Sequence, residues 1–305
     1  ASACAEIVMG LARAPAPLDD RLVRLLRAAA RGTPLADGVA RTLANMRDAM
    51  SPLAPSAWSS LVRAEAAVLP ARRARAVLEG ALLRAPWRDD LARDFINVPA
   101  DTASRVRAAR AIVAVDARTA PSLARAISSH PERAEMFERL ERAGPDVLAA
   151  CVLIERQRPQ DALRLIDTLR PRAEAANAMS TCLTLDVLRA RALFAQGNWD
   201  ESREIVDRMS EATFGVESAE ETDRLGLAAL DAALGVQMDS AVLRVASQIA
   251  APSSDPMRRA YVLLESARAA SRVRDADRAE ELFEELVALD PANEDAWEGF
   301  IELAH

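Results

Sequence analysis

The chain has 305 residues, 50% of them hydrophobic but only 4% aromatic, and a formal net charge of -7. Ten glycines and no sustained apolar alternation of period two exclude a many-stranded sheet, and an alphabet rich in Ala, Leu, Val and Arg predicts an all-α protein. Two histidines and three cysteines without paired spacing give no zinc knuckle and no disulfide framework, and no run approaches the ~20 apolar residues of a membrane span.

All 39 basic residues are Arg, which a GC-rich genome explains without a mechanism. They are unevenly placed: residues 1–150 hold 22 Arg against 17 acids, and residues 151–305 hold 17 Arg against 29 acids. A basic half beside an acidic half suits charge-complementary partners or self-association between copies.

The chain opens Ala1-Ser2-Ala3-Cys4. Small-small-Cys resembles the end of a bacterial lipoprotein signal, which makes Cys4 a lipidation candidate and an envelope lipoprotein the alternative to a cytoplasmic protein. After the breaker APAP at 14–17, Asp19 and Asp20 open a helix through LVRLLRAAA that Gly32 ends, and Thr33-Pro34 starts the next one, running to Met50. Residues 1–54 are thus N-terminal helices, a cap or a tail.

From Ser56 a repeating pattern sets in. Trp58 and Leu61 belong to one helix, Ala74, Leu78 and Ala81 to a second, and Pro86 follows. The steps from Trp58 to Ala74, Leu78, Ala81 and Pro86 resemble the tetratricopeptide repeat, in which small residues mark close helix crossings and large ones fill the gaps. The same spacing returns at Ala279, Phe283, Leu286 and Pro291. Weaker copies carry Ala150, Ala162, Ile166 and Leu169; Ala190, Gly197, Trp199, Ser202, Val206 and Met209; then Ala229, Ala241 and Val245, ending at Pro252. In these middle units the opening Trp and the turn Gly are mostly missing, and the small residues recur at longer intervals than in the family.

The resemblance implies an α-solenoid, a superhelix of antiparallel helix hairpins, over residues 55–88 and 145–305. The expected division is a first repeat segment at 55–144, with an irregular helix near 131–143, and repeats at 145–305 closed by a capping helix at 293–305. Within the first segment, RVRAARAIVAVDAR and PSLARAISS fit a hairpin, and the helix after His130-Pro131 disturbs the pairing. In the last helix, Trp297, Phe300 and Leu303 are expected to face inward.

No catalytic constellation is present. His130 and His305 have no metal-ligand spacing, and no phosphate loop, nucleophile elbow or metalloprotease motif occurs. No cofactor is expected. The arginines at 72–110 form a basic cluster, but the acidic total of the chain argues against nucleic acid. Binding remains. The resemblance implies a concave groove lined by the first helix of each hairpin, with Arg63, Arg191, Phe194, Tyr261, Arg268 and Arg272 as candidate partner contacts. There an Arg fork would suit a carboxylate and an aromatic ring an apolar side chain. The expected function is a non-catalytic scaffold or adaptor of a bacterial multiprotein assembly that binds a partner peptide or helix; the alternative is a regulatory repeat module from a larger signalling protein.

Overall fold

The computed structural model describes residues 35–50, 55–213, 218–249 and 255–303. Cys4, the helix expected after Asp20, Pro252 and His305 lie outside the described residues. Among the described residues there is no strand, and sixteen α-helices follow one another. These are α1 (Leu35–Met50), α2 (Pro55–Val68), α3 (Ala71–Arg84), α4 (Asp89–Asn97), α5 (Thr102–Val115), α6 (Ala120–Ser129), α7 (Arg133–Arg142) and α8 (Val147–Glu155). Next come α9 (Pro159–Ala175), α10 (Met179–Gln196), α11 (Trp199–Thr213), α12 (Ala219–Gly235), α13 (Asp239–Ile249), α14 (Pro256–Arg272), α15 (Ala276–Leu289) and α16 (Glu294–Leu303).

The helices start where the local chemistry dictates. Asp101, Asp146 and Asp255 accept the backbone N–H groups of Ser104, Ala149 and Met257 at 2.8, 2.8 and 3.1 Å, satisfying donors that α5, α8 and α14 would otherwise leave unpaired. Pro159 and Pro256 occupy first-turn positions, where a missing N–H costs nothing.

The packing alternates. α2 lies on α4, α4 on α6, α6 on α8, α8 on α10 and α10 on α12, while α5 with α7 and α11 with α13 form a second layer behind them. The fold is an all-α solenoid of stacked helices. Its small residues stand where helices cross: Ala162, Ala190, Ala229, Ala267, Ala270 and Ala279 are fully buried. One hydrophobic cluster runs from Trp58 to Ala192 without a break at residue 144, and it also includes Met257 of α14.

Two expectations are corrected. Thr102–Val115 does not form a hairpin with Ala120–Ser129; it packs chiefly on α7 and on the short 3-10 turn Ala117–Thr119. The alternation survives because α4, which the spacing did not reveal, supplies a further first helix, with Leu91, Phe95 and Ile96 in the core. In α16, Trp297 does not face inward but is 45% exposed, its indole N–H donating to the Pro291 carbonyl at 3.0 Å. The face that packs is built on buried Ala296 and on Gly299, with Phe300 and Leu303 partly covered. Small residues let the helix settle directly on Phe283.

The turns inside the hairpins share one backbone device. Gln157, Gly197, Gln237 and Arg274 all take left-handed φ values, of 58, 87, 58 and 64°. Only Gly does so without a steric cost, which for an L-residue is roughly 1–2 kcal/mol. The side chains of Gln237 and Arg274 are exposed and make no hydrogen bond to offset it. Replacing either by Gly will therefore raise the unfolding free energy by about 1 kcal/mol in urea titrations; a loss of stability would show that the side chain contributes more than its backbone conformation costs.

Candidate functional site

The layer of first helices does not stay open. The Asp290 carboxylate, at the end of α15, accepts through Oδ2 from the backbone N–H and the hydroxyl of Ser56 in α2, at 3.0 and 2.6 Å, across 234 residues of sequence. Asp290 thereby caps the start of a helix from the opposite end of the chain. Beside this joint the rings of Trp87 and Tyr261 stack with centroids 5.0 Å apart and planes 16° from parallel. α14 packs on α2 there, so the first and last hairpins are neighbours.

Six of the inner helices, α4, α6, α8, α10, α12 and α14, also contribute one polar group each to a row of three hydrogen-bonded pairs: Asp89, Arg125, Glu155, Arg191, Asp231 and Tyr261. Arg125 donates to both oxygens of Asp89 at 2.7–3.1 Å, Arg191 to Glu155 at 3.1 Å, and the Tyr261 hydroxyl to Asp231 at 2.8 Å. Loss of solvent pushes the Asp231 carboxyl up to about 6, against the lowering effects of the Tyr261 hydroxyl and of the Arg125 and Arg191 charges. Burial, then the Asp231 charge, holds the Tyr261 phenol well above its ordinary range. Signs alternate along the row, so neighbouring helices attract one another, with the Asp89–Arg125 pair partly exposed and the Glu155–Arg191 pair more covered.

A cavity of about 830 Å³ opens at the joint, between α2, the start of α4, α14 and the start of α16. Trp87, Tyr261, Met257, Ala260 and Leu264 form its apolar wall. Its charged groups are three arginines, Arg63, Arg88 and Arg268, and six carboxylates, Asp89, Asp90, Glu265, Asp290, Glu294 and Asp295.

Of the six residues that the sequence nominates, this cavity brings together Arg63, Tyr261 and Arg268. Arg63 donates to Asp94 at 2.7 Å, and Arg268 bonds Glu265 and Asp295 at 3.2 Å each. Arg191 lies in the interior row, its stem over Gly235, where an added Cβ would stand 2.4 Å from Arg191 Cγ. Phe194 is half-buried against the hydrophobic core, and Arg272 ties α14 to Asp239 at the start of α13, on the surface, at 2.7 Å.

Trp87, Asp231 and Asp290 escape the repeat spacing. Asp231 alone left a signal, a lone carboxylate in the apolar run LAALDAAL; the other two sit in connections whose partners are remote in sequence.

Other chemistry is restricted. Cys151 is buried, its thiol pushed up to about 12 by desolvation, which leaves no thiolate to act as nucleophile or ligand. His130 ends α6, and its Nδ1 accepts the Glu132 N–H at 3.1 Å. Among the described residues no group of three or more His, Cys, Asp or Glu could hold a metal ion, and no helix is long and apolar enough to cross a membrane.

No protein-family model matches the chain, and no curated protein matches it. Among solved structures, the crystal structure of the yeast Tom70 is similar at 10% identity and a TM-score of 0.31, over 90% of this chain and 64% of that one. The chain thus spans less than two thirds of that neighbour's length.

Proposed function

We propose that this chain is a non-catalytic protein-interaction scaffold that receives a segment of a partner protein in the cavity at the joint. The supporting observation is the cavity itself: its size lies within the range of ligand sites, and its apolar aromatic wall is surrounded by polar groups drawn from both ends of the solenoid. Solenoids of stacked hairpins bind partners along extended concave surfaces, and here the cavity at the joint lies on the layer of first helices beside the row of paired polar groups.

Leu264 lies in the cavity wall and is half-buried. Probed with an array of synthetic peptides, the native chain will retain a subset, and Leu264→Trp, which fills the space, will weaken that retention by about tenfold or more. Tryptophan at exposed Val115, remote from the cavity lining, will leave it unchanged. Equal retention by Leu264→Trp would remove the cavity from the function, and no retention by the native chain would remove the peptide-binding reading altogether.

A further inference from the structure

We infer that the ligand of this cavity is cationic: a basic segment whose guanidinium or ammonium group is received by the free oxygen of Asp290. The inference rests on the peptide-binding reading above and adds the chemistry of the partner.

The observation that carries it is the state of Asp290. Its side chain is fully buried in the cavity wall, Oδ2 takes both Ser56 donors, and Oδ1 has no hydrogen-bond partner. Oδ1 is closed to solvent, so a donor reaches it only as the wall parts. An unpaired oxygen of a buried carboxylate is costly, and a positively charged donor forms the strongest hydrogen bond it can make.

The arginines of the wall do not offer the opposite chemistry. Arg88 is held by both oxygens of Asp90 at 2.8 and 2.9 Å, Arg63 is engaged with Asp94, and Arg268 with Glu265 and Asp295. An anionic ligand would have to displace an internal carboxylate at each. Six carboxylates face three arginines. The starts of α2, α4 and α16 also meet the cavity, each contributing roughly +0.5 of helix-dipole charge, and the wall is still negative after that offset. The stacked pair of Trp87 and Tyr261 adds aromatic surface of the kind that attracts cations, and Met257 and Leu264 suit the methylene stem of an Arg or Lys side chain.

Isothermal titration of the native chain with three probes tests this: an acetylated octapeptide alternating Gly and Arg, the same peptide with Glu in place of Arg, and agmatine. The Arg peptide should bind and the Glu peptide should not. Asp290→Asn keeps an oxygen for Ser56 and presents an NH₂ where the free acceptor stood, so it should weaken the Arg peptide by about tenfold or more. Ser56→Ala removes a bond at the same joint but leaves Oδ1 in place, and should stay within about threefold. It also separates loss of the site from loosening of the joint, and thermal melts of both variants establish that they are folded.

Preference for the Glu peptide, or an Arg peptide indifferent to Asp290→Asn, overturns the cationic assignment and leaves the scaffold reading standing. Agmatine binding as tightly as the Arg peptide and equally sensitive to Asp290→Asn supports the cationic site and sinks the peptide reading. Absence of binding by all three probes overturns the cationic assignment.

Discussion

Phe283→Ala will lower the unfolding free energy by about 3–5 kcal/mol, the range for emptying an aromatic core position. Phe283 is 1% exposed and stands in a small cluster with Ala260, Leu263, Ala267, Leu286 and Ala296, contributed by α14, α15 and α16. Gly299 shows how closely the ring is enclosed: a Cβ there would lie 2.3 Å from the Phe283 Cζ and 2.7 Å from Cε1. Part of the wall is helix backbone carrying Ala260, Ala267, Ala296 and Gly299, which cannot collapse into the vacated space, so a cavity cost adds to the lost burial. Chemical denaturation followed by circular dichroism gives the loss. Limited proteolysis should show α16 cut before the rest of the chain, because Phe300 and Leu303 are the remaining large groups that hold it. A loss below about 1 kcal/mol would mean that α16 is not seated on Phe283 as described.

The second large effect is a dependence on pH. Asp231 is raised in the folded chain to about 6 from an ordinary value of 3.8. A raised carboxylate means that the folded state holds the proton more tightly than the unfolded state. Its stabilising influence is therefore complete below pH 4, is lost as the pH climbs from about 4 through 6, and stays absent above. The shift of roughly two units corresponds to something on the order of 3 kcal/mol. Asp231→Asn keeps a carbonyl oxygen for the Tyr261 hydroxyl and carries no charge to desolvate. Relative to the native chain, it should gain stability at pH 7.5 and little at pH 4. Other carboxylates work in the opposite sense: Asp90 is held below its ordinary range by Arg88 despite its desolvation, and Asp101 by the Ser104 hydroxyl and amide. Both lose their contribution as the pH falls, and the comparison of variant with native chain cancels them. Identical pH profiles for the two proteins would show that Asp231 is well solvated.

What could be read from the sequence was local. Ala74, Leu78 and Ala81, and again Ala279, Phe283 and Leu286, are buried where the repeat spacing placed them, because helix crossings inside a hairpin depend on residues three to seventeen positions apart. The same logic failed at Trp297, where spacing alone could not show that Ala296 and Gly299 present a flatter face for Phe283. It failed again at α4, nine residues long between Pro86 and Pro99, too short for its period to stand out. The candidate site was legible only in pieces. Arg63, Tyr261 and Arg268 were chosen for their place on first helices, but their meeting depends on curvature accumulated over five intervening hairpins. No window of sequence contains the pairing of Ser56 with Asp290 or of Trp87 with Tyr261. Of the carboxylates that occupy the arginine forks, Asp90 and Glu265 lie within three residues of Arg88 and Arg268, while Asp94 is 31 residues from Arg63 and Asp295 is 27 from Arg268.

The joint between Ser56 and Asp290 changes how this solenoid can come apart. A linear stack of hairpins has two free ends and melts inward from them, one unit at a time, since each unit leans only on its neighbours. When the first unit also leans on the last, peeling either one away must also release the other, so the easiest routes of partial unfolding are tied together. The stack then behaves less like a row of independent tiles and more like an arch, in which the keystone is a single buried carboxylate.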